Sequence, residues 1–165
     1  MKSEIKRFGR GFVYAWNGIR AAVQEERNFR FHLCAACYVV VFSVLAQLSA
    51  VEWALIALCI VAVLGMELMN SAVERAVDKP DTTHWWSAGA AKDMAAGAVL
   101  VVALGALVVG GCLLVPRLDR ITQAFLDAPM IGGICLFALI PAYFFIFRYH
   151  SATQKGETTN GKTNS

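Results

Sequence analysis

The sequence predicts an all-α membrane protein: a polytopic helical bundle with an amphipathic helix on its surface at the N-terminus. The first observation is composition, because 58% of the 165 residues are hydrophobic, 16% are charged and the mean hydropathy is +0.54. A soluble domain of this size carries more polar surface. The second is four apolar stretches, three of which are uncharged over nearly the length of about 20 residues that a spanning helix needs. The third is a helical spacing of apolar residues near the N-terminus.

The N-terminal segment, at about 4–28, is predicted to be the surface helix. Its apolar residues recur every three or four positions, and basic residues occupy much of the remaining surface. A basic amphipathic helix with aromatic residues on its apolar face is typical of a helix that lies in a membrane interface. The apolar residues of this stripe are Ile5, Phe8, Phe12, Trp16, Ile19 and Val23.

Three core spans are expected at about 33–51, 53–70 and 94–115. The first and the third contain 19 and 22 residues without a charge. The second follows after the short link "SAVE", so the first two form a helical hairpin. The second span reaches full length only by including Glu67, which interrupts its apolar run after 14 residues.

A fourth span is expected at 130–147, where Pro141 is compatible with a membrane helix. We therefore divide the chain into a membrane domain at 1–115 and an extra loop with the fourth span at 116–150. The tail at 151–165, rich in Thr, Asn, Gly and Lys, is predicted to be disordered.

The distribution of basic residues predicts the orientation. Seven Lys and Arg residues precede the first span and three lie in the loop at 70–93, whereas the first hairpin link has none and the loop at 116–129 has two. By the positive-inside rule, the N-terminus and the loop at 70–93 face the cytoplasm. The net charge of +3 is too small to suggest nucleic-acid binding. The five cysteines all lie in apolar runs, which indicates neither a zinc site nor a disulfide framework.

Polar residues share one face of the second span where it leaves the lipid. At about 100° per residue, Glu67, Asn70, Glu74 and Asp78 fall within an arc of roughly 80°. Pro80 predicts that the helix ends at Lys79. A carboxylate as deep as Glu67 is costly in a membrane and is by default a functional-site hypothesis.

Two further charged groups are expected at the same side of the membrane. Glu25 and Glu26 precede the first span, and Lys92 and Asp93 open the third. Carboxylates with an Asn suit Mg²⁺, and a Lys suits a phosphate. These are the parts that phosphoryl transfer needs, although spacing alone leaves the reaction open. A proton or cation path would need ionisable groups through the span, whereas these are confined to one end.

Three blocks carry a resemblance to a known family: "AWNGIRAAVQEERNFRFHL", "ELMNSAVERAVD" and "AKDMAAGAVL". With them the sequence resembles the prokaryotic diacylglycerol kinase and undecaprenol kinase family, small lipid kinases of the bacterial inner membrane. The resemblance implies Mg²⁺-dependent transfer of the ATP γ-phosphoryl group to a membrane lipid alcohol, undecaprenol or diacylglycerol. It also implies a homotrimer whose active sites are shared between subunits.

The resemblance assigns roles to individual residues. Glu67 is the expected catalytic base beside the lipid hydroxyl, and Asn70 is expected to position groups in the site. Glu26 and Glu74 are the expected metal ligands. Contacts with nucleotide or cofactor are expected from Arg7, Tyr14, Glu26, Glu74, Lys92 and Asp93.

Two features depart from the family pattern. His84 lies eight residues before Lys92, one position earlier than the family pattern, and the fourth span extends a core of three spans. "AAGAV" after Lys-Asp is closer to the undecaprenol branch, but both lipids remain candidates. The alternative function is a small transporter or a scaffold that retains the fold without the activity.

Overall fold

The computed structural model describes residues 2–77 and 86–147 and is helical throughout that part of the chain, apart from short connections. Four of its helices are long and apolar enough to cross a membrane, which confirms the predicted class. The predictions made for Asp78, Lys79, Pro80, His84 and 151–165 concern residues outside the described part of the chain. A short 3₁₀ helix at Val115–Arg117 joins the fourth and fifth of the α-helices, which are α1 (Lys2–Glu25), α2 (Arg27–Leu45), α3 (Ala50–Val77), α4 (Trp86–Leu114), α5 (Leu118–Asp127) and α6 (Pro129–Phe147).

Helix α1 leaves its apolar face uncovered by protein. The side chains of Phe8, Phe12 and Trp16 are all exposed, while Ala22, near the C-terminal end of the helix, is buried. Only this C-terminal end is therefore packed into the molecule. An uncovered apolar stripe on a basic helix is the form expected of a helix that lies on a membrane surface.

The α2–α3 hairpin turns earlier than predicted. Helix α2 begins at Arg27, and α3 begins at Ala50, within the link assigned from the sequence. The reason is the Glu52 half of a capping box, in which Glu52 Oε2 accepts hydrogen bonds from the Ser49 backbone N–H at 2.8 Å and the Ser49 hydroxyl at 2.9 Å. These bonds stabilise the start of α3 at Ala50, and the turn closes through Gln47, whose φ is 54°.

The expected loop at 116–129 is largely helical, which corrects the prediction. Leu118, Ile121 and Phe125 lie on one face of α5 at helical spacing, and Ile121 is buried in a cluster with Ala46 and Ile56. This contact gives a segment of only ten residues a partner on which to fold. The division of the chain at residue 115 remains a prediction.

Helix α6 packs antiparallel to α2. The Tyr38 hydroxyl donates to the Cys135 carbonyl at 3.0 Å in the middle of the pair, and the Arg30 guanidinium donates to the Ile146 carbonyl at 3.1 Å near one end. Helix α4 is likewise antiparallel to α3, because Arg117, just after α4, bonds to Glu52 in the first turn of α3. The described starts of α2 and α4 and the ends of α3 and α6 therefore lie at one end of the bundle.

Candidate active site

Glu67 is a buried carboxylate inside a membrane-length helix. Its side chain is 5% exposed, and Oε1 lies 3.1 Å from Nε2 of His32 on α2. Because α3 begins at Ala50 and rises about 1.5 Å per residue, Glu67 lies roughly 25 Å along the helix, which is close to the roughly 30 Å thickness of a hydrocarbon core. Its carboxylate is held between α2 and α3.

Sequence reasoning did not single out His32. The first span was drawn from residue 33, so the histidine fell just outside it, whereas α2 includes it in its second turn. A polar residue bordering a lipid-length run was the only available signal. Its pairing with Glu67 depends on the relative register of α2 and α3, which the sequence does not encode locally.

Asn70 and Glu74 are joined on the next turns of α3. The Asn70 side-chain amide donates to Glu74 Oε1 at 2.9 Å, as expected for residues four apart on a helix. The other atom of that amide, Oδ1, is buried and has no hydrogen-bond partner among the described residues. A buried oxygen without a partner is unusual in a folded protein, so this one is available to a ligand.

Arg75 connects α3 to the junction between α1 and α2. Its guanidinium lies 3.0 Å from a carboxylate oxygen of Glu25 and 3.1 Å from one of Glu26. Glu26 lies between the two helices in extended backbone geometry. The sequence assigned no site role to Glu25 or Arg75, whereas the structure pairs them. Arg75 thus fixes the position of an expected metal ligand.

The structure brings four of the sequence-derived site residues to one region. Glu26 and Glu74 lie close enough to Glu67 for their charges to interact with it, and Asn70 bonds to Glu74. Asn70, one turn beyond Glu67 on α3, is also buried, so the buried polar part of this region covers more than one turn of the helix.

The remaining site residues are placed less closely. Lys92 is half-buried and Asp93 is exposed, both in the early turns of α4 and at the same end of the bundle as Glu67. Arg7 and Tyr14 are exposed on α1. The roles of all four residues stay predictions.

The oxygen donors fit a magnesium ion that binds together with phosphates. Among the described residues, no three His, Cys, Asp or Glu side chains converge as a metal cage. Mg²⁺, however, usually takes one or two carboxylates and fills its remaining positions with water and substrate phosphates. Glu26 and Glu74 are the expected carboxylates, and the unpartnered oxygen of Asn70 would add a neutral donor.

An apolar cavity of about 440 Å³ lies between α2, α3 and α4. His32 lines it together with small and aliphatic residues such as Ala36, Ile60 and Gly110. The histidine that touches Glu67 therefore also borders a space suited to a hydrocarbon chain.

Comparisons with known proteins identify the family. The model of the prokaryotic diacylglycerol kinase family matches residues 13–114. The undecaprenol kinase of Bacillus subtilis (strain 168) is 42% identical over 117 residues, which cover 71% of this chain and 95% of that protein. The diacylglycerol kinase of Synechocystis (strain PCC 6803) is 43% identical over 108 residues, covering 65% and 62% respectively.

A more distant relative, the diacylglycerol kinase of Escherichia coli (strain K12), is 33% identical over 95 residues, covering 58% of this chain and 78% of that protein. No solved structure matches the chain. The blocks that carried the resemblance all lie within the matched region, and the four membrane-length helices agree with it. The chain therefore belongs to the prokaryotic diacylglycerol kinase family and is a kinase with the helices of an integral membrane protein.

Proposed function

We propose that this protein transfers the γ-phosphoryl group of ATP to the hydroxyl of undecaprenol or diacylglycerol, with Mg²⁺, at the cytoplasmic face of a bacterial inner membrane. The observation that carries the proposal is Glu67, a carboxylate that is 5% exposed on a membrane-length helix and 3.1 Å from His32. A buried acid at this depth suits a reaction whose acceptor is a lipid hydroxyl at the boundary of the hydrocarbon.

In the proposed step, Glu67 acts as general base. A carboxylate oxygen of Glu67 accepts the proton of the lipid hydroxyl while the hydroxyl oxygen forms a bond to the γ-phosphorus. The bond from that phosphorus to the bridging oxygen breaks, and ADP leaves. The contact with His32 holds the carboxylate in place, since a base must lie within hydrogen-bond reach of the proton that it takes.

Glu26 and Glu74 are the proposed metal ligands, and Asn70 orients Glu74 through its amide. Bound Mg²⁺ would neutralise the charge that develops on the phosphates. Arg75 supports this role because its guanidinium holds a carboxylate oxygen of Glu26 at 3.1 Å. Lys92 is proposed to contact phosphate and Asp93 the nucleotide, with Arg7 and Tyr14 contributing from the surface helix.

Two observations support a lipid as the acceptor. The cavity bordered by His32 is apolar, which suits the hydrocarbon part of such a substrate. The relative that aligns over 95% of its own length is named an undecaprenol kinase, whereas the other relatives are named diacylglycerol kinases. Both lipids therefore remain substrates to be tested side by side.

We further propose a homotrimer with shared sites. Within one chain, the described residues include no group of three His, Cys, Asp or Glu side chains that could hold a metal ion by themselves. A neighbouring copy that presents its own Lys92 and Asp93 would complete the nucleotide side of such a site.

The test is a transfer assay with the purified full chain in mixed micelles. ATP labelled at the γ-phosphate is supplied with undecaprenol, with diacylglycerol, or with triacylglycerol, which lacks a hydroxyl, and each reaction is repeated with excess chelator. We expect label in at least one of the two alcohols, none in triacylglycerol and none without Mg²⁺. Label in neither alcohol would contradict the proposal and favour a transporter or scaffold.

A further inference from the structure

A fully buried arginine links the fourth span to the junction that carries Glu26. Arg30, on α2, has no exposed surface. One terminal nitrogen of its guanidinium donates to the backbone carbonyls of Val23 at 3.1 Å and Gln24 at 3.0 Å, and the other donates to the carbonyl of Ile146 at 3.1 Å. A single side chain thus bonds to the last turn of α1 and the last turn of α6.

These carbonyls belong to the last turns of α1 and α6, where the backbone needs hydrogen-bond donors from outside the helix. The last four carbonyls of a helix lack intrahelical donors, and the C-terminal end carries a partial negative charge. Helix α1 ends at Glu25 and α6 ends at Phe147, so two negative helix ends converge on one cation. The planar guanidinium has donors enough to serve both ends, whereas a lysine presents a single point charge.

A second contact reinforces the first. The guanidinium carbon of Arg27 lies 5.8 Å from the ring centroid of Phe147, within cation–π range. Arg27 directly follows Glu26, which Arg75 of α3 holds from the other side. Glu26 therefore lies between an anchor from α3 and an anchor from the end of α6.

We propose that Arg27 and Arg30 together clamp the C-terminal end of α6 to the α1–α2 junction and so position Glu26 for the nucleotide, with the result that the fourth span supports the active site. Residues 115–147 lie beyond the region that the family model matches, so the α6 side of the clamp is an addition to the family core. Arg30 is a positioning residue here, acting through Glu26. The effect on the reaction rests on the proposed function, in which Glu26 is a metal ligand.

The decisive variant is Phe147→Ala, with Phe137→Ala as its matched control. Both remove a phenyl ring from α6, but Phe137 is 72% exposed and lies more than two turns away. Loss of a cation–π contact worth about 0.5–2 kcal/mol corresponds to roughly 2- to 30-fold. We expect the KM for MgATP to rise within that range in Phe147→Ala, with kcat and the KM for lipid unchanged, and no change in Phe137→Ala.

Hydrogen exchange on the same proteins provides a readout that does not need activity. In Phe147→Ala, the backbone amides around the α1–α2 junction should exchange faster than in wild type and in Phe137→Ala. Arg30→Lys keeps the positive charge but loses the forked guanidinium. We therefore expect a larger rise in the KM for MgATP and faster exchange at the α1–α2 junction than in Phe147→Ala. If Arg30→Lys does not fold, the comparison of Phe147→Ala with Phe137→Ala still tests the clamp.

The outcomes separate the two proposals. Unchanged exchange at the junction in Phe147→Ala would overturn the clamp. Faster exchange with an unchanged KM for MgATP would overturn its link to Glu26. If wild type phosphorylates neither lipid alcohol, the proposed function fails together with that link, while the exchange rates still test the clamp itself.

Discussion

The two ends of the bundle use polar residues in opposite ways. At the end with the α2–α3 turn, both oxygens of Glu52 are bonded: Oε1 accepts from Arg117 at 2.6 Å, and Oε2 accepts from Ser49. At the other end, Asn70 Oδ1 is buried without a hydrogen-bond partner among the described residues. Both ends contain a carboxylate on α3, Glu52 at the first and Glu67 at the second, but the buried oxygen without a partner lies on the Glu67 side.

The difference distinguishes a structural polar cluster from a candidate site. Where Glu52 lies, the bonds join the α2–α3 turn to the end of α4, and α5 covers the adjacent apolar cluster around Ile56 and Ile121. At the end with Glu67, the buried Oδ1 of Asn70 has no hydrogen-bond partner among the described residues. Because folded proteins pair nearly all buried polar groups, the unpaired oxygen of Asn70 indicates the end of the bundle at which a ligand supplies the missing partner.

The largest expected effect tests this distinction directly. Glu67→Gln keeps the size of the side chain but removes the base, so kcat should fall by about 10²- to 10⁴-fold. The thermal midpoint should change little, because glutamine can still hydrogen-bond to His32. The measurement is turnover with the preferred lipid, and Asp119→Asn, an exposed acid on α5, is the control expected to keep normal turnover. Near-normal phosphorylation by Glu67→Gln would contradict the assignment of the base.

The next effect concerns the metal. Glu74→Gln retains an oxygen that accepts the bond from Asn70 but loses the negative charge, so it should bind Mg²⁺ more weakly. Loss of partners that only orient metal ligands costs roughly 10- to 100-fold in affinity, and a direct ligand should cost at least as much. We therefore expect the Mg²⁺ concentration for half-maximal activity to rise at least about tenfold. A titration identical to that of Asp119→Asn would argue against the ligand role.

Much of the architecture could be predicted from local signals. Uncharged runs of the right length located four spans, and the helical period placed Glu67, Asn70 and Glu74 on one face. The start of α3 was misplaced although its signal, Ser49 followed three residues later by Glu52, was present as a capping box. The error arose because the ends of the membrane helices were placed only by the positions of charged residues.

What the sequence could not supply was the pairing between helices. The contact of His32 with Glu67 and the bridge from Arg75 to Glu25 depend on how far α2 and α3 slide past each other. Helix α5 escaped prediction because a short charged segment folds only against a partner, here the cluster with Ile56. Such contacts join distant parts of the chain and leave no periodic pattern behind.

The smallest expected effect lies at the opposite end of α3. Glu52→Gln should lower the thermal midpoint by only about 2–4 °C, because the charge is lost while some hydrogen bonds to Ser49 and Arg117 persist. Turnover should stay normal, since this end is roughly 25 Å along α3 from Glu67. The measurements are a thermal melt in detergent and the transfer assay. A loss of turnover comparable to that of Glu67→Gln, without loss of stability, would mean that full hydrogen bonding does not separate structural from functional carboxylates in this fold.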